Sequence, residues 1–181
     1  MTFNIIEQKI PEILLIKPKV YGDIRGFFME SFNSRELKKY GVDKAFVQDN
    51  HSRSGANVVR GLHFQQNNPQ GKLVRVTRGA VFDVAVDVRP GSSTYGKHVS
   101  NILSEENFYQ MYIPPGFAHG FCTLSEIVDF QYKVTDYWDS SDETGILWSD
   151  KGLNIDWPIN INDAVVSEKD KNFKPLFGEN S

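Results

Sequence analysis

The chain has 181 residues, a formal net charge of −3 and a single cysteine, Cys122. This length fits one domain with its own core, and the slightly acidic balance argues against a broad nucleic-acid-binding face. Because one cysteine excludes an intramolecular disulfide, and no run of about 20 apolar residues could span a membrane, we expect one cytoplasmic domain over residues 1–181, with no nucleic-acid or membrane partner.

The first predicted elements are strands. Ile13–Ile16 is a strand candidate closed by Pro18, and Gly26–Phe32 follows a turn signal at Gly22 and Asp23. We expect these two strands to pair with each other.

One short helix is predicted next. Asn33 or Ser34 can cap a helix over Glu36–Tyr40, and Gly41 can end it in a left-handed conformation. We expect no other helix before the carboxy terminus.

From Phe46 to Thr135 the sequence consists of short β-branched and aromatic runs, separated by turns that contain glycine or proline. The predicted strands are Val58–Phe64, Leu73–Thr77, Ala80–Val88, Val99–Leu103, Tyr109–Ile113, Phe121–Leu124 and Ile127–Val134. Many short strands at regular spacing are typical of a barrel or a sandwich.

One of these strands, Ala80–Val88, places Asp83 and Asp87 on the same face. A face with two carboxylates is either exposed to solvent or part of a site. We interpret Asp83, Asp87 and Arg89 as structural residues at a strand end.

Beyond Asp136 the strand pattern weakens. Ser167 and Asp170 have the spacing of a capping-box variant, which predicts a short terminal helix. Helix capping would explain this spacing without any active site.

The stretch Arg60–Gln65 contains the first candidate chemistry. His63 can exchange a proton near neutral pH, and Arg60 supplies a fixed charge for an anionic ligand. A histidine buried in the core and an arginine on the surface would explain the same residues without chemistry.

A second histidine, His119, follows the rigid turn Pro114–Gly116, so we expect its imidazole at a strand entrance in a barrel mouth. The turn resembles the second signature of the cupin superfamily. The first signature needs a His-x-His pair, and Gln65 stands where the second histidine would be. Since a transition-metal site needs three or four donors, we expect no metal here.

A series of motifs in order along the chain resembles the dTDP-4-dehydrorhamnose 3,5-epimerase family. The motifs are Asp23–Phe32, Phe46–Ser52, Arg60–Gln65, Gly71–Val76, Val81–Arg89, Pro114–Phe121, Gln131–Thr135 and Asp142–Ile146. The resemblance implies an all-β, cupin-like jelly-roll barrel with a few short helices, no cofactor, and a homodimer. It also implies an enzyme that epimerises dTDP-4-dehydro-6-deoxy-D-glucose at C3 and C5, which forms the precursor of dTDP-L-rhamnose.

The residue types suit this chemistry, because C3 and C5 both lie next to the C4 ketone and their protons are removable if the enolate is stabilised. His63 suits the base, Lys72 the cation facing the C4 oxygen, and Tyr132 the acid on the opposite face. The resemblance implies the same three roles and adds Asp170 as the partner that orients His63.

The resemblance also implies a set of substrate-binding residues: Arg25, Glu30, Gln48, Asn50, Arg60, Lys72, His119, Glu143 and Lys169. Arginines suit a diphosphate, and amides suit base and sugar edges. For Arg25 a turn salt bridge with Asp23 is the alternative. For Phe27, Phe28 and Trp138, which could stack on thymine, core packing is the default interpretation.

Other functions remain open at this point. Relatives that epimerise C5 alone, or that act on another 4-keto nucleotide sugar, share most of these residues. A metal-dependent cupin oxygenase or isomerase would use His63 and His119. A non-catalytic sugar-binding cupin would bind dTDP without exchanging substrate protons.

Overall fold

The computed structural model describes residues 3–178 and consists mainly of antiparallel β-strands. The strands are β1 Phe3–Ile6, β2 Leu14–Pro18, β3 Val20–Asp23, β4 Gly26–Met29, β5 Gln48–Gly55, β6 Val58–Gln65, β7 Lys72–Arg78, β8 Ala80–Asp87, β9 His98–Ser104, β10 Gln110–Ile113, β11 Phe117–Thr123, β12 Ile127–Val134, β13 Glu143–Gly145 and β14 Val165–Val166. The helices are α1 Ser34–Lys38 and α2 Glu168–Lys171, with one-turn 3-10 helices at Lys151–Leu153 and Ile161–Asp163.

Two sheets form the body of the protein. The first has the order β1-β2-β10-β7-β12-β5, and the second has the order β13-β6-β11-β8-β9, with β14 added parallel to β6. Their inner faces share one core, in which Val74 and Phe130 of the first sheet pack with Val81, Ala85 and Phe121 of the second. This arrangement confirms the predicted all-β jelly roll with a few short helices.

The pairing of the early strands differs from the prediction. β4 pairs with β3 through the register Asp23 to Gly26, so the turn lies at Ile24 and Arg25. β2 instead lies between β1 and β10. The expected pair was wrong because β3 and β4, of four residues each, form a local hairpin before the chain returns to the first sheet.

Helix α1 begins after Asn33, whose side chain accepts hydrogen bonds from the backbone N–H groups of Arg35 and Glu36. Gly41, with φ of +84°, ends the turn that follows the helix. The predicted helix and its cap are therefore confirmed, although the helix starts two residues earlier than expected. Leu37 on its buried face packs on the outer side of the first sheet.

The alternating strand β8 has both of its carboxylates inside the protein. Asp83 and Asp87 are fully buried, so an interpretation of this face as solvent-exposed is wrong. Asp87 accepts hydrogen bonds from Arg89, Ser92 and Thr94 near the end of the strand. The structural interpretation of Asp87 and Arg89 is confirmed, but Asp83 has a different environment.

The segment after β13 covers the outer face of the second sheet. Trp148 and Trp157 pack there with Leu62 and Cys122, and the Trp157 indole donates a hydrogen bond of 2.8 Å to the Trp148 carbonyl. This covering layer brings α2 alongside β6. Between residues 3 and 178, neither helix is long or apolar enough to cross a membrane.

Candidate active site

The terminal helix brings a carboxylate to His63. Ser167 caps α2 by accepting a hydrogen bond from the Asp170 backbone, which confirms the predicted cap. The Asp170 carboxylate points to β6, where one oxygen lies 2.8 Å from His63 Nε2 and the other accepts a 2.9 Å bond from the Gly61 backbone N–H. When Nε2 carries the proton toward Asp170, Nδ1 is left with a free lone pair.

Lys72 lies at the start of β7, on the inner face of the first sheet. Its ammonium donates a hydrogen bond of 3.2 Å to the His63 carbonyl oxygen of the second sheet. Burial lowers the pKa of Lys72 to about 8, and the negative charges of Glu143 and Asp83 oppose that change. Lys72 is therefore a desolvated cation beside the candidate base.

Tyr132 lies on β12 in the first sheet, with its ring beside Phe130 at a centroid distance of 6.1 Å. Burial raises the pKa of the Tyr132 hydroxyl, the charge of Glu143 raises it further, and the charge of Arg60 opposes both. The phenol therefore keeps its proton at neutral pH, as a general acid requires.

His119 is not at a strand entrance, as the turn before it suggested. It is the third residue of β11, directly opposite His63 in the register, and is buried against Phe130 with ring centroids 6.0 Å apart. Its Nε2 lies 2.9 and 3.1 Å from the two carboxylate oxygens of Asp83. Burial lowers the pKa of His119 despite the nearby carboxylate, so its imidazole favours the neutral form.

Glu143 and Lys169 form an ion pair between β13 and α2. Although burial opposes the change, the Lys169 ammonium lowers the pKa of Glu143, and the charge of His63 contributes in the same direction. Glu143 is thus ionised and within electrostatic range of His63, Lys72 and Tyr132.

The predicted amides and Arg60 have partners nearby. The Gln48 amide donates a 2.8 Å hydrogen bond to the Asn50 side chain, and Asn50 is opposite Tyr132 in the register of β5 and β12. The Arg60 guanidinium donates to the Ser54 hydroxyl at 3.0 Å. These side chains are therefore held by protein contacts beside the candidate acid.

Two predicted binding residues lie elsewhere. Arg25 is 85% exposed at the tip of the hairpin β3–β4 and pairs with Asp23 at 2.5 Å, which confirms the turn salt bridge. Glu30 lies on the outer side of the first sheet near Pro18 and Leu37, and its Oε1 is buried without a hydrogen-bond partner among residues 3–178. Within one chain, neither residue joins the others.

The aromatic side chains expected to be core are at the surface. Phe27, Phe28 and Trp138 are each more than half exposed. Two of them belong to the hairpin β3–β4, which pairs with neither large sheet. The core interpretation of these three residues was therefore wrong.

Two residues near the site were not predicted. Asp83 had been assigned a purely structural role, although the two carboxylates on its strand face were a signal for a site. Phe173 packs against His63 in a T-shaped contact, with ring centroids 5.6 Å apart and an angle of 77° between the ring planes. Its sequence context gave no signal, because the contact depends on the path of the chain after α2.

The residues together can perform proton transfer next to a carbonyl. His63 lies on the inner face of the second sheet and Tyr132 on the inner face of the first, and the Lys72 ammonium lies beside the strand of His63. In the part of the chain that the structure describes, no three His, Cys, Asp or Glu side chains are grouped so as to hold a metal ion.

Comparisons with known proteins agree with this geometry. The sequence pattern of the dTDP-4-dehydrorhamnose 3,5-epimerase family matches residues 7–177. The chain is 52% identical over 171 residues to a dTDP-4-dehydrorhamnose 3,5-epimerase of Shigella flexneri, covering 93% of each. It is 54% identical over 167 residues to the enzyme of that name from Pseudomonas aeruginosa, covering 91% of each.

A solved structure supports the same fold. The crystal structure of a dTDP-6-deoxy-D-glucose-3,5-epimerase from Legionella pneumophila, in complex with dTDP-4-keto-L-rhamnose, is similar to this chain with a TM-score of 0.94 and 51% identity. The match covers 96% of this chain and 93% of that chain. The expected cupin-like jelly roll is therefore confirmed.

Proposed function

The chain belongs to the dTDP-4-dehydrorhamnose 3,5-epimerase family, and we propose that it is an isomerase that converts dTDP-4-dehydro-6-deoxy-D-glucose to dTDP-4-dehydro-L-rhamnose. It inverts C3 and C5 by removing and returning a proton at each carbon, in the pathway to dTDP-L-rhamnose. The placement of His63 and Tyr132 on opposite sheets carries this proposal, because inversion needs a base on one face of the sugar and an acid on the other.

In the first step Nδ1 of His63 takes the proton from C3 or C5. Asp170 holds the opposite ring nitrogen, so it fixes the tautomer and stabilises the imidazolium that forms. The electron pair of the broken C–H bond moves into the C4 carbonyl and generates an enolate.

Lys72 stabilises the enolate oxygen. Its ammonium lies in a buried site, where a charge interaction is stronger than in water, and it already points toward the strand of the base. Tyr132 then gives its proton to the other face of the same carbon, and the C4 ketone is restored with inverted stereochemistry at that carbon.

The direct test is turnover in deuterated water, followed by NMR. The purified protein with dTDP-4-dehydro-6-deoxy-D-glucose should yield the L-configured product with solvent deuterium at both C3 and C5. Label at C5 alone would replace the proposal with a C5 epimerase, and substrate recovered without label would leave only a sugar-nucleotide-binding role.

The same assay distinguishes a metal-dependent cupin from the proposed epimerase. Dialysis against a chelator, followed by metal analysis of the sample, should leave turnover unchanged if His63 acts as a base. Loss of turnover that returns with one added divalent metal would instead favour a cupin that uses His63 and His119 as ligands.

The proposed assembly is a homodimer in which the hairpin β3–β4 of one copy reaches the site of the other. Ile24, Phe27 and Phe28 are exposed on this hairpin, and exposed apolar groups of this kind mark interaction surfaces. Arg25 on the same hairpin suits a diphosphate, but it is exposed and lies away from the site of its own chain. A second copy accounts for both observations.

We also propose that residues 1–181 act as one cupin-like domain in the cytoplasm. Support for one domain comes from the contact between Asp170 of α2 and His63 of β6, which joins residues far apart in the sequence. Support for a reducing compartment comes from the single thiol of Cys122, which is free and buried.

A further inference from the structure

Phe173 touches the candidate base through a contact between their rings. Its ring meets the His63 imidazole in an edge contact at 5.6 Å. The ring also rests on Gly145, which is opposite His63 in the register of β13 and β6. A Cβ at Gly145 would lie 2.3 Å from Phe173 Cε2, so the ring fits there only because residue 145 has no side chain.

The segment that carries Phe173 is fixed on both sides of the ring. Before it, the Asn172 side chain donates a hydrogen bond to the Glu168 carbonyl and closes α2. After it, the Lys174 carbonyl accepts a 3.0 Å hydrogen bond from the Leu147 backbone N–H. The ring is therefore held in place by hydrogen bonds of the residues on either side of it.

Asp170 and Phe173 thus restrain the same imidazole in different ways. The carboxylate binds Nε2 but leaves the ring free to turn about the axis of that hydrogen bond. The Phe173 ring, packed against the imidazole at an angle of 77°, opposes this rotation. Together the two contacts determine where Nδ1 points.

We propose that Phe173, seated on Gly145, is a positioning residue that keeps Nδ1 of His63 aimed at the substrate during proton abstraction. This inference rests on the proposed function, because it assigns Phe173 to the proton-transfer step of that reaction. Phe173 touches the base and takes no part in the chemistry itself. Its contribution should therefore appear in kcat and leave substrate binding unchanged.

The chain offers a matched control in Phe177, four residues further along. Its ring also occupies the space above glycines, since a Cβ at Gly96 would lie 2.3 Å from Phe177 Cζ. Phe177 packs against Tyr95 in the outer cluster and makes no ring contact with His63. Phe177→Ala removes the same side chain from the same segment without changing the surroundings of the base.

The experiment compares wild type, Phe173→Ala, Phe173→Leu and Phe177→Ala by kcat, KM, dTDP affinity and thermal stability. Phe173→Ala should lower kcat about tenfold, with KM and dTDP affinity within about twofold of wild type, as a small misplacement of a base predicts. Phe173→Leu should recover part of the loss, and Phe177→Ala should lower thermal stability alone. With substrate deuterated at C5, the kinetic isotope effect should increase in Phe173→Ala, because proton abstraction becomes slower relative to the other steps.

Three results would overturn the inference. These are an unchanged kcat in Phe173→Ala, an equal loss of kcat in Phe177→Ala, or an unchanged isotope effect in a slower Phe173→Ala enzyme. Wild-type turnover with substrate is measured first. Its absence refutes the proposed function and this inference together, whereas normal wild-type turnover with a fully active Phe173→Ala refutes only the role of Phe173.

Discussion

The ammonium of Lys72 lies 3.2 Å from the backbone carbonyl oxygen of His63, and this contact joins the two sheets. In the proposed mechanism, the charge that stabilises the enolate is therefore held at a fixed position relative to the base that generates it. Because Lys72 is buried, its protonation depends on the few charges around it. The pH dependence of the enzyme should report on this site.

Activity should fall on the alkaline side as Lys72 loses its proton. Burial lowers the pKa of Lys72 from 10.5 to about 8, so nearly every Lys72 side chain is protonated only well below pH 8. A plot of log kcat/KM against pH should bend downward near pH 8 with unit slope, since this parameter reports groups of the free enzyme. Lys72→Met should lose about 100-fold in kcat or more, as removal of an oxyanion donor does.

The control for this prediction is Lys133→Met on the outer face of the same sheet, where Lys133 pairs with Asp49. This variant should keep both the rate and the alkaline limb. An alkaline limb near pH 10 in wild type would contradict the assignment, because it would match a lysine in water or a tyrosine.

Glu143→Gln should move the alkaline limb of the kcat/KM profile to lower pH. The carboxylate of Glu143 is a negative charge that supports the protonated form of Lys72, so its removal lowers the pKa of Lys72 below about 8. Lys169→Met removes the ion-pair partner of Glu143 but leaves the carboxylate, so its limb should stay in place or move upward. The measurement is the kcat/KM profile of the three enzymes, and identical limbs would argue against this coupling.

Tyr132→Phe should uncouple proton exchange from inversion. His63 can still remove a proton and return one from solvent to the same face, so deuterium should enter the substrate while its configuration is retained. His63→Ala should abolish exchange and inversion together, and both variants should bind dTDP like wild type. NMR of the recovered sugar in deuterated water distinguishes these outcomes, and inversion at normal rate in Tyr132→Phe would remove Tyr132 from the role of acid.

Two variants that each impair activity should restore it together if the hairpin β3–β4 of one copy contributes to the site of the other copy. In a mixed dimer of Arg25→Ala and His63→Ala, one site has both native residues and the other has neither. Random assembly of co-expressed chains should then restore about one quarter of the wild-type kcat/KM, because half of the dimers are mixed and half of their sites are complete.

The matched control is His63→Ala co-expressed with Tyr132→Phe, whose residues belong to the same chain's site. That pair should give no restoration. If Arg25→Ala and His63→Ala also give none, while Arg25→Ala alone is impaired, the hairpin acts within its own chain.

The strands of the sheets were largely predictable, because alternation and β-branched residues depend on local sequence. Ile127–Val134 was predicted with its observed bounds, whereas β5 was missed because Gln48–Gly55 is polar throughout and lacks β-branched residues. Its strand character comes from pairing with β12, which local propensity does not report.

The sequence motifs predicted a site residue only where its type of side chain by itself indicates a chemical role. The contact between Asp170 and His63 joins residues separated by 107 positions, and only the resemblance to a known family suggested it. Ser167 and Asp170 were assigned to a helix cap or to a site as alternatives. The structure shows both contacts, since the Asp170 backbone donates to Ser167 and the Asp170 carboxylate lies 2.8 Å from His63.

The position of Asp170 on α2 also determines the order in which the candidate site is assembled. Because α2 follows β13 and β14 in the chain, the strands of both sheets leave the ribosome before Asp170, the partner of His63. A nascent or prematurely ended chain lacking α2 would have the barrel strands and the base without its orienting carboxylate. His63 can therefore gain its carboxylate partner only after the strands of both sheets have been synthesised.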